Sequence, residues 1–247
     1  MTPVPGGAAG APPWPAQWLG TLRRRRAVLW RGVEAQHRIA TMKVVDSVAE
    51  QDLLEALLER SKPPLPAPAA GAHYLLATPF RYVSPWPSRF RAPGEPGIWY
   101  GAERLDTACA EVGYWRWRFA QDSDGLRQAS VLSEHTFFEA TVAGRVVDLG
   151  AAPWTALEHR WMDPVDYSGC HALARGARGA SAAWIRYRSV RDPRHRPCGA
   201  VLELGALALG DLTHQQTWAC KVTATAVLMR PLGVAASTGP LEFAFGG

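Results

Sequence analysis

The 247-residue chain is 47% hydrophobic, holds 11 tryptophans and carries a formal net charge of +5. That apolar content suffices for a packed core and excludes wholesale disorder; the length fits one large domain or two small ones. No uncharged apolar run reaches the ~18 residues of a membrane span, and the N-terminus lacks the basic-then-apolar order of a secretory signal. A soluble, cytoplasmic protein with no membrane partner is expected.

Taken in chain order, residues 1–20 are rich in Pro, Gly and Ala and read as a flexible tail. Residues 21–72 read as an N-terminal helical extension ending in a stiff connector. Its helix is expected over 46–60, where Ser47 and Glu50 have capping-box spacing and Leu53, Leu54, Leu57 and Leu58 form one apolar stripe. The connector, Lys62 to Ala72, is proline-rich, and proline cannot extend a helix. Beyond it, Gly97 to Ala102 reads as a short strand. A helix follows over about 104–120, with Leu105, Ala108, Val112, Trp115 and Phe119 at helical spacing. Phe137 to Val142 and Arg145 to Leu149 read as two strands joined at Ala143-Gly144. Ser168 to Gly179 reads as a helix, with strands expected near 183–188, 200–204 and 217–228. The expected class is α+β, with residues 231–247 as a C-terminal tail.

Cys109, Cys170, Cys198 and Cys220 are scattered, none at CxxC spacing, so buried or free thiols are expected rather than a metal site. Of 27 basic residues only Lys43, Lys62 and Lys221 are lysines. Arginine binds phosphate through a planar fork, but Ala, Gly and Pro abound as well, so the bias does not by itself name a ligand. Only the run Arg23 to Arg26 concentrates basic charge, and no direct nucleic-acid contact is expected.

A string of polar residues sits on the later elements: Arg81-Tyr82 in TPFRY, Arg89 in PSRFRAPG, Tyr100 at the end of GIWYG, Glu111 in TACAEV and Ser168 in YSGCHALA. At 100° per residue Glu111 lies 60° from Ala108 and 40° from Trp115, at the border of the apolar face. There a carboxylate is partly desolvated yet can face a cleft, and Tyr100 can share the wall. Taken singly, these residues fit ordinary structural roles: a solvated flank, a core aromatic, surface charges and a helix N-cap.

In order, SRFR, GIWYGAERLDTACAE and YSGCHALA resemble the RES domain family, whose turn arginine, strand tyrosine, helix glutamate and serine match Arg89, Tyr100, Glu111 and Ser168. The likeness covers about 73–230, taken as the catalytic domain, and Arg81-Tyr82 resembles the family's earlier Arg-Tyr pair. Two positions depart from its pattern: Arg91 stands for an Asn and His171 for a Gln. Ser189, in IRYRSVRDP, also sits in a family-like segment and ranks below Ser168. The resemblance implies an ADP-ribosyltransferase-like fold and a NAD⁺-degrading toxin of a toxin–antitoxin system. Phosphorolysis would give ADP-ribose-1″-phosphate and nicotinamide, with NAD⁺ as substrate, inorganic phosphate as co-substrate and no metal. It also implies an Xre-type helix-turn-helix antitoxin as partner.

That chemistry suits the residues. Cleaving the nicotinamide–ribose bond passes through an oxocarbenium-like sugar, which an anion such as Glu111 stabilises. Arg81 and Arg89 suit a diphosphate, Tyr82 or Tyr100 an aromatic wall, and Ser168 a phosphate at a helix N-terminus. No strand leads into GxGxxG, which disfavours a Rossmann dehydrogenase. Two alternatives stay open, a protein ADP-ribosyltransferase and an inactive basic nucleic-acid-binding or scaffold protein. The oligomeric state is open too.

Overall fold

The structure is a computed structural model and describes residues 13–35, 44–65, 69, 71–210, 212–233 and 238–245. Its strands are β1 (Arg23–Glu34), β2 (Trp99–Ala102), β3 (Val131–Asp148), β4 (Trp184–Arg188), β5 (Pro197–Val201), β6 (Thr213–Val222), β7 (Ala226–Leu232) and β8 (Leu241–Ala244). Its α-helices among the described residues are α1 (Val48–Ser61), α2 (Tyr74–Arg81), α3 (Leu105–Gln121) and α4 (Ser168–Gly179). Among the described residues the strands form one mixed sheet in the order β1-β2-β5-β4-β3-β6-β7-β8. β1 also pairs antiparallel with β3, from Arg23 opposite Val146 to Glu34 opposite His135. Five strands, β1, β2, β5, β4 and β3, therefore close into a ring that β6, β7 and β8 extend.

Successive strand residues face opposite sides, and the sheet uses both. Phe137 packs with Cys109, Leu173 and Trp218 beneath α3 and α4. Its neighbour Phe138 packs with Leu29, Leu76, Trp99 and Trp184 on the other side. All four cysteines are buried free thiols.

Several expectations are corrected. β3 is one continuous strand and not two joined by a turn at Ala143-Gly144. Gly144 has φ +148°, and a Cβ there would lie 2.5 Å from that of Ala183, so glycine permits close approach, not a reversal. The segment expected at 217–228 is a hairpin, β6 and β7, turned at Thr223, whose hydroxyl donates to the Ala226 carbonyl at 3.0 Å. α3 faces the core with Leu105, Ala108, Cys109 and Gly113, while Trp115 and Phe119 are exposed. A Cβ on Gly113 would sit 3.3 Å from Val227, so small residues let the helix ride close to β7.

The N-terminal region is not a separate helical extension, because β1 lies inside the ring. Residues 1–12 of the expected tail lie outside the described residues. From Pro13 onward the chain packs: Trp14 is buried, donates through Nε1 to the Gly169 carbonyl at 2.9 Å, and lies under Arg160. The expected C-terminal tail likewise contributes β8; its residues 234–237 and 246–247 lie outside the described residues, as do 66–68 and 70 of the connector. α1 is capped by Ser47, whose Oγ accepts from the Glu50 N–H at 3.2 Å. The reciprocal bond is shifted by one residue, with Glu50 accepting from the Asp46 N–H at 2.8 Å. No α1 residue is buried, and the leucine stripe faces outward at Leu53, Leu57 and Leu58.

Candidate active site

β1, β2, α3 and the turn before β2 enclose a cavity of about 350 Å³, within the size range of small-molecule sites. Glu111 reaches its wall from α3 and Arg89 from the 88–91 turn; Tyr100 stands on β2, and Trp30, Trp115, Tyr167 and Tyr187 add aromatic surface. Arg31 on β1, Arg116 on α3 and Arg191 after β4 supply further positive charge.

The geometry shows how the chain aims these groups. Ser88 and Arg91 pair through both backbone N–H groups, at 2.9 and 3.1 Å, closing the turn that carries Arg89. The Tyr100 hydroxyl accepts from the Phe90 N–H at 3.1 Å and shares a hydrogen with Ser88 Oγ at 2.8 Å. Tyr100 is thus the post on which the arginine turn hangs, and burial pushes its hydroxyl up to about 12. His171, in place of the family's Gln, braces the same turn from α4 by donating Nε2–H to the Ser88 carbonyl at 2.8 Å. Arg91, in place of the family's Asn, donates to the Trp86 carbonyl at 3.0 Å. Arg89 itself is 8% exposed. Its Nη1 donates to the carbonyls of Trp161 and Asp163, both at 3.0 Å, and its guanidinium lies 4.7 Å from the Tyr167 ring.

Glu111 is half-buried, and Ser189 Oγ donates to its Oε1 at 2.6 Å. That hydroxyl also accepts the N–H groups of Arg191 (3.0 Å) and Asp192 (2.9 Å). With the oxygen's lone pairs taken by two donors, its hydrogen is directed onto the carboxylate. Burial pushes the Glu111 carboxyl above the ordinary range; Ser189, Arg89 and Arg191 pull the other way without cancelling it. Burial lowers Arg31 to about 10, leaving it charged near neutrality. His135 falls to about 4 through burial and the neighbouring Arg116, so it is neutral there.

The structure therefore gathers Arg89, Tyr100 and Glu111 at one cavity. Arg81, Tyr82 and Ser168 are not among its lining residues. Arg81 closes α2 and spends its guanidinium on α1, donating to Glu59 Oε1 at 2.6 Å and to the Pro63 carbonyl. Tyr82 is exposed. Ser168 turns to Asp166, donating its N–H to Oδ1 at 2.8 Å, and its hydroxyl also helps hold that carboxyl below the ordinary range. Ser189, ranked second in the sequence, is the serine on Glu111. Nothing in the helix segment around Glu111 points to a loop 78 residues later in the chain, so the sequence carries no signal for this contact. Arg31, Arg116 and Arg191 were lost among many arginines; the strand-like AVLWRGVE around Arg31 was the one signal available for the first.

The model of the RES domain matches residues 65–223, more than half of the chain, and the protein belongs to the RES domain family. Among solved structures the chain is similar to one from the crystal structure of the M.tuberculosis MbcT-MbcA toxin-antitoxin complex. That pair shares 14% sequence identity at a TM-score of 0.47, covering 85% of this chain and 92% of that one. A search of curated proteins finds no match.

Proposed function

We propose that this cavity binds NAD⁺ and breaks its nicotinamide–ribose bond. The observation that carries the reading is the half-buried Glu111 carboxylate, oriented by Ser189 and facing a cavity ringed by arginines and aromatic rings. As nicotinamide leaves with the bonding electron pair, the sugar takes on oxocarbenium character, and a fixed anion beside it lowers the barrier. Arg89, Arg31 and Arg191 suit the diphosphate oxygens. Tyr100 acts by holding the arginine turn, while Trp30, Tyr167 and Tyr187 supply rings for nicotinamide or ribose to pack on.

Inorganic phosphate is the proposed acceptor: one of its oxygens bonds the ribose carbon that nicotinamide leaves, giving ADP-ribose-1″-phosphate. An ADP-ribosyltransferase-like ancestry fits this chemistry, and transfer to a protein side chain is the competing outcome. An enzyme that consumes NAD⁺ harms its own cell, so the protein is proposed to act as a toxin held by an Xre-type antitoxin. A partner segment bearing a carboxylate would suit the cationic cavity and compete with NAD⁺.

Calorimetry on Glu111→Gln, which should bind without turning over, tests the site. NAD⁺ is expected to bind, and Arg89→Ala in that background to abolish the heat. Absence of NAD⁺ binding, or binding indifferent to Arg89, overturns the assignment.

A further inference from the structure

Thr107 and Glu111 stand four residues apart on α3 and so share one face. The loop between β4 and β5 grips both. Thr107 Oγ1 donates to Asp192 Oδ2 at 2.8 Å, one helical turn from the bond between Ser189 and Glu111. Asp192 is 1% exposed and lies outside the cavity lining. A carboxylate buried so deeply is costly unless paired, and this one is paired thoroughly. It accepts from Arg196 Nε at 2.6 Å and Nη2 at 3.2 Å, and from the Arg194 N–H at 3.1 Å. Arg196 continues to Asp106, back on α3. His195, at φ +49°, donates Nδ1–H to the Ser189 carbonyl at 2.8 Å. The loop is thus braced against the helix on both sides of the Glu111 contact, and the Asp192 N–H is one of the two that orient the Ser189 hydroxyl.

We propose that Asp192 is a positioning residue: braced by Thr107, Arg196 and Asp106, it holds the loop so that Ser189 directs its hydrogen at the Glu111 carboxylate. Asp192 acts on the reaction through Ser189 and does not touch the substrate. The proposal rests on reading Glu111 as the catalytic carboxylate, so its test is made on the carboxyl itself.

The charged and titratable groups around Glu111 set the sign. Arg89 from the 88–91 turn and Arg191 from the loop favour its ionised form, and Asp192 as a bare charge opposes it. Tyr187 on β4 and Cys198 on β5 complete the surround and stay protonated, pushed up by burial. If Asp192 were only a nearby charge, removing it would lower the Glu111 midpoint. If it positions Ser189, removing it weakens a hydrogen bond to the ionised carboxylate and raises the midpoint.

The experiment follows the Glu111 side-chain carbon by NMR in the full chain, labelled at glutamate and assigned by its loss in Glu111→Gln. Ser189→Ala and Asp192→Ala should each raise the midpoint, and the double variant should shift no further than Ser189→Ala alone. NAD⁺ turnover at neutral pH should fall about tenfold or more in each, as for other misplaced catalytic groups. Should Asp192→Ala fail to fold, Thr107→Val removes one arm of the brace and should also raise the midpoint, with Thr107→Ser restoring it. A lowered midpoint in Asp192→Ala, additive shifts in the double variant, or a Thr107→Val titration equal to the parent would overturn the proposal. A parent that titrates as described but leaves NAD⁺ intact would refute the proposed function instead.

Discussion

Replacing Glu111 by Gln changes charge and almost nothing else. The amide keeps the side-chain volume, and its Oε1 can still accept the Ser189 hydrogen, now placed at 2.6 Å. On the proposed mechanism, what disappears is the anion beside the developing positive charge. Losing one preorganised electrostatic group costs roughly 10²- to 10³-fold in turnover, about 2.7–4 kcal/mol of barrier. Affinity for ADP-ribose should persist, because the arginines remain. Stability should move the other way. Burial raises the folded-state pKa of Glu111, so the folded protein holds that proton more tightly than the unfolded chain. The parent therefore loses stability as pH rises from the ordinary carboxylate value through the raised one. Gln lacks that loss, so the variant's Tm at neutral pH should equal or exceed the parent's. Nicotinamide release, ADP-ribose calorimetry and a melting curve read the three quantities. Turnover within a factor of two of the parent would refute the role of Glu111.

Arg89→Lys should weaken NAD⁺ binding, since lysine cannot fork across two oxygens, whereas Arg81→Ala should leave affinity unchanged because Arg81 is committed to Glu59 and Pro63; equal effects in calorimetry would contradict that division. Turnover should fall on acidification through a midpoint above that of an ordinary glutamate, as the raised Glu111 takes up its proton, and a pH profile flat across that range would exclude an ionised carboxylate from the rate. Gly97→Ala should lower Tm by roughly 2–12 °C from overpacking, since its Cβ would meet the Pro79 carbonyl oxygen at 1.7 Å; an unchanged melting curve would show that the backbone yields there.

The sequence made some of this legible. α4 runs from Ser168 to Gly179 as its pattern indicates, because composition and boundaries agree there. Arg89, Tyr100 and Glu111 meet because a turn, a short strand and a helix follow one another with little slack. What stayed hidden depends on partners remote in sequence. Glycine at 144 looks like a turn until Ala183 is seen against it, and Trp115 and Phe119 look like core until the helix is found to face β7 through Gly113, whose Cβ would lie 3.3 Å from Val227. β1 opens with four arginines, a poor strand signal, yet its register against β3 fixes its place and brings Arg31 to the cavity. The contact of Ser189 with Glu111 likewise requires β4 and α3 to be brought together first.

Cleavage of NAD⁺ to an ADP-ribosyl product at this cavity is read by mass spectrometry of purified protein incubated with NAD⁺, with and without inorganic phosphate. Nicotinamide should appear in step with ADP-ribose-1″-phosphate only when phosphate is present, and Glu111→Gln should form both roughly 10²- to 10³-fold more slowly; intact NAD⁺ in both incubations would contradict it.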